Sequence, residues 1–152
     1  MNEKSFEKAK NYAFLLLKFR LRSEKELFYR LTRKKFEPAV IKKIIAFLKE
    51  KGFLDDNEFA RSWIASRAKR PFGPRRLRQE LRLKGVAKDI IETELAKISA
   101  VYPEEEVVGR AARIRFEKLR GLEPAKAKRR IYEYLLRRGF SPDVIRDALE
   151  QL

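Results

Sequence analysis

Apolar residues fall at Leu27, Leu31, Phe36, Val40, Ile41, Ile45 and Leu48, in steps of 4, 5, 4, 1, 4 and 3. The same steps recur at Leu77, Leu81, Val86, Ile90, Ile91, Leu95 and Ile98, and again at Ile131, Leu135, Phe140, Val144, Ile145, Leu149 and Leu152. Steps of three and four keep side chains on one face of an α-helix, whereas a step of five breaks that face. Each copy therefore predicts two helices joined by a tight turn at the step of five. The punctuation agrees: "FEP" at Phe36 to Pro38 and "FSP" at Phe140 to Pro142 put proline in a first helical turn, where its missing N–H costs nothing. Ser23 and Glu26 form a capping-box pattern, and Asp55 and Glu58 a variant of it.

Each copy also has an amphipathic stretch upstream, at about 5–20, 56–70 and 103–120, which predicts a third helix per copy. The result is an all-α chain of nine helices in three tandem three-helix repeats, with boundaries at 1–53, 54–100 and 101–152. The copies are offset by 50 and then 54 residues, and the extra residues fall around "RGLEPAKAKRR", as a longer connection or an added helical turn. A unit this small is marginal alone, so the repeats are expected to stack into an elongated curved array that offers a long surface to a long partner.

Composition narrows the chemistry. The chain of 152 residues is 44% hydrophobic and has enough aromatic residues to bury a core, so its 39% charged content does not require disorder. Cysteine and histidine are both absent, which removes thiolate and imidazole metal sites, disulfides and every Ser-His or Cys-His nucleophile. No apolar run is long enough to cross a bilayer and the first residues do not lead into a cleavable signal, so a soluble cytoplasmic protein is expected. The net charge of +16 draws the chain towards nucleic acid, an anionic membrane or an acidic protein, and opposes self-association, so a monomer is expected.

The charge is densest at "SRAKRPFGPRRLRQELRLKG", Ser66 to Gly85, with eight basic residues against the single acid Glu80. On a helix beginning at Gly73-Pro74, with Leu77 at zero, Leu81 falls near 40° and Arg75, Arg78 and Arg82 near 160°, 100° and 140°, at about 100° per residue. These three arginines are expected to point outward with Arg67 and Arg70, either as a contact surface for a partner or as a merely solvated face. Trp63, four residues after Phe59, reads as core packing rather than a base-stacking platform. Phe72 among arginines is either a packed staple or an exposed contact. Asp55-Asp56 and Glu104 to Glu106 start helices, where carboxylates meet the positive dipole end, and this reading is preferred over Mg²⁺ binding. Arg137-Arg138 and Lys84 stand in last helical turns, where cations offset the dipole.

"LDDNEFARSWIASRAKRPFGPRRLRQELRLKGV", Leu54 to Val86, resembles the signature region of the RecX family of bacterial regulatory proteins. The match rests on the Leu54-Asp55-Asp56 start, Phe59-Ala60, Ser66-Arg67, Gly73-Pro74, Arg75 or Arg76, the "QEL" of Gln79, Glu80 and Leu81, and the "KGV" of Lys84, Gly85 and Val86. "KNYAFLLLKFRLRSEKELFYRL" near the start and "RRGFS" at Arg137 to Ser141 are similar to further family segments. The resemblance implies three tandem three-helix modules and function by contact: binding the RecA recombinase and its filament on single-stranded DNA, and restraining filament growth, ATP hydrolysis and strand exchange. It implies no catalysis, cofactor, metal or membrane.

Under this reading Arg67, Arg70, Arg75, Arg76, Arg78, Arg82 and Lys84 are the candidate contacts to RecA or to single-stranded and double-stranded DNA. Asp55, Asp56, Phe59, Ala60, Gly73, Pro74, Gln79, Glu80, Leu81 and Gly85 are mostly structural. Three other readings stay open: a sequence-tolerant DNA-binding protein without a protein partner, a sequence-reading helix-turn-helix regulator, and a nuclease or lyase using Asp55, Asp56 and Lys84.

Overall fold

The computed structural model describes residues 3–67 and 72–152. Among them are nine α-helices: α1 (Glu3–Phe19), α2 (Glu24–Arg33), α3 (Pro38–Glu50), α4 (Asp56–Ala65), α5 (Pro74–Leu83), α6 (Lys88–Val101), α7 (Glu104–Lys118), α8 (Pro124–Arg137) and α9 (Pro142–Glu150). The all-α expectation and the grouping in threes are met. Every residue of the repeated apolar pattern is buried or half-buried. The extra residues before the third copy are an added helical turn: α8 has 14 residues where α2 and α5 have 10. The α4 helix stops at Ala65, short of the expected end near 70, and Arg70 lies outside the described residues.

The step of five has one physical cause in all three copies. The residue before Phe36, Val86 and Phe140 is left-handed, with φ of 69° at Lys35, 79° at Gly85 and 92° at Gly139. The next amide then donates back five residues, from Phe36 to the Leu31 carbonyl, Val86 to Leu81 and Phe140 to Leu135, at 3.3, 3.1 and 3.2 Å. This is a Schellman closure, which satisfies carbonyls that a helix end would otherwise leave unpaired. At the other ends, Pro38, Pro124 and Pro142 begin helices as N-terminal prolines.

The chain divides into two compact units, one of Met1–Trp63 with Leu81–Ile91 and one of Ile64–Glu80 with Glu92–Leu152. Each helix of the middle repeat thus contributes to both. In the first unit α1, α2 and α3 pack on one another. Ala9, Ala13 and Leu16 of α1 make a narrow apolar stripe that meets Leu27 and Leu31 of α2 and Val40, Ile41, Ile44 and Leu48 of α3. Alanines at one-turn spacing let the helices approach closely, and the larger side chains fill what remains. In the second unit Val108 and Ala112 of α7 pack with Ile131 and Leu135 of α8 and with Phe140 and Ile145 of α9. The exposed faces carry the charge.

Candidate interaction surface

The N-terminus of α5 is held by the C-terminus of α8. The Gly73 amide donates to the Arg138 carbonyl at 2.6 Å and the Arg75 amide to the Gly139 carbonyl at 3.1 Å. Unpaired donors of one helix start thereby meet unpaired acceptors of one helix end, with complementary partial charges. The approach is close enough to require glycine on both sides: a Cβ on Gly73 would land on the Gly139 carbonyl, and one on Gly139 would land on the backbone of Arg76. Gly73-Pro74 is therefore a helix start and a docking point together.

Around this joint the basic residues gather on Phe72. The guanidinium carbons of Arg76, Arg138 and Arg67 lie 4.1, 4.7 and 5.3 Å from its ring centroid. Glu80 accepts from Arg67 Nε at 3.3 Å and from Arg76 Nε at 3.5 Å, so the only acid of the basic stretch neutralises part of the cluster. Phe72 is half-buried; three cations share its electron-rich faces, an arrangement in which each cation–π contact is worth about 0.5–1 kcal/mol at a partly exposed site. Of the two sequence readings of Phe72, the structure has the packed one.

Two of the arginines expected to point outward, Arg78 and Arg67, turn to carboxylates instead, and so does Lys84, a further candidate contact. Arg78 makes a two-pronged bridge to Glu92, Nε to Oε2 at 2.7 Å and Nη2 to Oε1 at 3.0 Å, and this bridge raises its pKa although burial opposes it. Arg67 is half-buried between Glu80 and Phe72. In the first unit Lys84 Nζ donates to Glu26 at 2.9 Å and lies 5.3 Å from the Trp63 ring centroid. Helical angle gave the direction of each Cβ, but an arginine or lysine is long enough to bend back to a carboxylate on another helix. Arg75 and Arg82 are exposed, without an ion pair among the described residues.

Glu26, which sequence reading took only as half of a capping box, is a hub. Its carboxylate accepts from the Ser23 amide at 3.1 Å, Arg20 at 2.7 Å and Lys84 at 2.9 Å. Burial alone would raise its pKa, but these donors hold it down at about 2. Ser23 Oγ returns the cap by accepting from the Glu26 amide, and donates to the Lys84 carbonyl at 2.6 Å. The cap of α2 thus fastens the end of α5 within this unit.

The acidic candidates are likewise engaged in helix ends. Asp55 accepts from the Asn57 amide at 2.9 Å and caps α4, while its expected partner Glu58 is exposed. Asp56 turns to α2 and accepts from the Glu24 amide at 2.9 Å; burial raises its pKa. Glu104 reaches the start of α9 and accepts from the Ser141 amide at 2.7 Å. Among the described residues no group of three or more acidic side chains is placed to hold a metal ion. Of the remaining motif residues, Phe59, Ala60 and Leu81 are buried, Pro74 is half-buried at the α5 start, Gln79 is exposed, and Gly85 is the left-handed turn residue. Trp63 packs against Phe59 at 5.8 Å between ring centroids.

Comparison with known proteins gives the same architecture. Residues 9–48 match the first three-helix domain of RecX, 55–95 the second and 104–149 the third. The chain is 36% identical over 147 residues to the regulatory protein RecX of Chlorobium phaeobacteroides, covering 96% of this chain and 94% of that one. It is 35% identical to the RecX of Bacillus licheniformis, of which it spans 55%. The crystal structure of RecX from Lactobacillus salivarius superposes with a TM-score of 0.85 over 99% of this chain and 98% of that one, at 22% identity, which shows the shared fold. Matched along nearly its whole length and in all three domains, the chain belongs to the RecX family of regulatory proteins.

Proposed function

We propose that the chain is a non-enzymatic regulator of RecA, which binds RecA filaments on single-stranded DNA and restrains their extension, ATP hydrolysis and strand exchange. The observation that carries this reading is the in-order match of all three domains to a family of regulatory proteins. The engagement of Asp55 and Asp56 in separate helix ends also favours contact over catalysis, because each carboxylate already has a structural donor. Arg75 and Arg82 are the members of the basic stripe ready to meet phosphates or carboxylates. Arg67, Arg76, Arg78 and Lys84 join a contact only by giving up a partner within the chain. The protein works as a cytoplasmic monomer, with its charge of +16 limiting self-association and speeding encounter with an anionic filament.

RecA-dependent ATP hydrolysis on single-stranded DNA tests the reading. Inhibition at protein levels well below those of RecA is expected. Inhibition only at levels that coat the DNA would instead make the chain a sequence-tolerant DNA-binding protein, and DNA cleavage in the presence of Mg²⁺ would overturn the non-enzymatic reading.

A further inference from the structure

Between 110 and 138 the chain carries eleven Lys or Arg residues and three Glu, a density comparable to that of the Ser66–Gly85 stretch. The C-terminal turn of α7 and the outer face of α8 enclose a groove of about 280 Å³, lined by Arg115, Lys118, Arg130 and Arg137 with Tyr134, Leu119 and Glu133. Of the four arginines of α5, Arg76 and Arg78 are paired within the chain, whereas none of the four groove cations has a carboxylate partner among the described residues, and Lys118, Arg130 and Arg137 are exposed. Tyr134 arranges the wall: the Arg115 guanidinium stacks 3.6 Å from its ring centroid, and its hydroxyl accepts from Arg138 at 3.0 Å. The C-terminal carbonyls of α7 carry only a fraction of a negative charge, too little to cancel several full cations.

We infer that this groove is a binding site for the phosphate backbone of a nucleic acid, separate from the α5 stripe. Phosphate fits better than an acidic protein surface. A protein partner would need an apolar anchor at the centre of the contact, and the groove offers only Leu119, since the Tyr134 ring is already covered by Arg115. A phosphate chain needs spaced cations and little else. Arg130 and Arg137, seven residues apart on α8, are separated by about 10 Å along the helix axis, so they present charge along a line. The inference goes beyond the RecA reading and stands apart from it, because it concerns naked nucleic acid.

The test is fluorescence anisotropy of a labelled oligothymidylate across a salt series, with the full chain and two charge-matched variants. Lys118→Gln with Arg130→Gln removes two groove cations; Lys126→Gln with Arg129→Gln removes two from α8 outside the groove. The groove variant is expected to flatten the slope of log K against log salt by about 1.4, from about 0.7 per lost phosphate contact, while the matched variant keeps nearly the parental slope and both keep the parental melting temperature. Equal losses in the two variants, no loss in either, or no binding by the parent at low salt would each overturn the assignment. So would unchanged DNA binding with lost inhibition of RecA ATPase, since the groove would then take protein carboxylates. Failure of the RecA reading itself is seen separately, as a parent chain without effect on that ATPase.

Discussion

At the scale of single residues, the three turns pose one backbone problem with two solutions. Gly85 and Gly139 adopt the left-handed conformation that glycine visits freely, whereas Lys35 does so at φ 69° against its Cβ. Replacing Lys35 with Gly is expected to stabilise the first repeat by about 0.5–1 kcal/mol, the strain relieved less the extra chain entropy of glycine, measurable as a shift of the urea midpoint at unchanged slope. Glu26 makes the opposite point, that one side chain serves several elements. Its folded pKa of about 2 lies below the free value of 4.5, so its stabilisation is fully present above pH 4.5 and is lost as pH falls from there to about 2. Asp56, raised by burial, has the opposite sign, with stability lost as pH rises through its folded pKa. We expect Glu26→Gln to cost on the order of 2 kcal/mol at neutral pH, with the gap from the parent closing through the acid window of Glu26 in urea titrations repeated at several pH values. The capping box was legible from Ser23 and Glu26 alone because it is local; the bonds from Lys84 and Arg20 were not, because no local rule brings them to Glu26.

Elements follow from periodicity with few exceptions. A one-turn spacing of apolar residues determines which helix face is buried, N-terminal prolines determine several starts, and the left-handed residue determines each hairpin turn. What periodicity could not supply is the joint between α5 and α8, where Gly73 and Gly139 touch across 66 positions of sequence. Gly73 read simply as a residue before a helix-starting proline. Its close approach to Gly139 makes the stronger claim that Gly73→Ala, harmless at an open helix start, is here expected to cost about 3 kcal/mol or more, because backbone instead of a flexible side chain must move. Thermal unfolding of Gly73→Ala beside Gly121→Ala, which would meet nothing within 4 Å, checks it: near-equal melting temperatures would refute the joint.

For the whole molecule, charge is the property that reaches furthest beyond the fold. Arg75→Gln with Arg82→Gln is expected to change stability by no more than about 0.5 kcal/mol, since both side chains are exposed, while weakening the inhibition of RecA ATPase several-fold; a fully inhibitory double variant would make the stripe a solvated face. Arg78 is a poorer choice for that test, because its loss leaves Glu92 without the bridge. The helical class, the threefold repetition, the turns and the excess of positive charge were all legible in the order of residues alone, since these follow from nearest neighbours along the chain and from composition. Packing settled which cations stay available: Arg67, Arg76, Arg78 and Lys84 fold back onto Glu80, Glu92 and Glu26, while Arg115, Lys118, Arg130 and Arg137 have no such partner among the described residues. The pairing depends on which distant carboxylate lies within reach of a long flexible side chain, and that distance is set by packing alone.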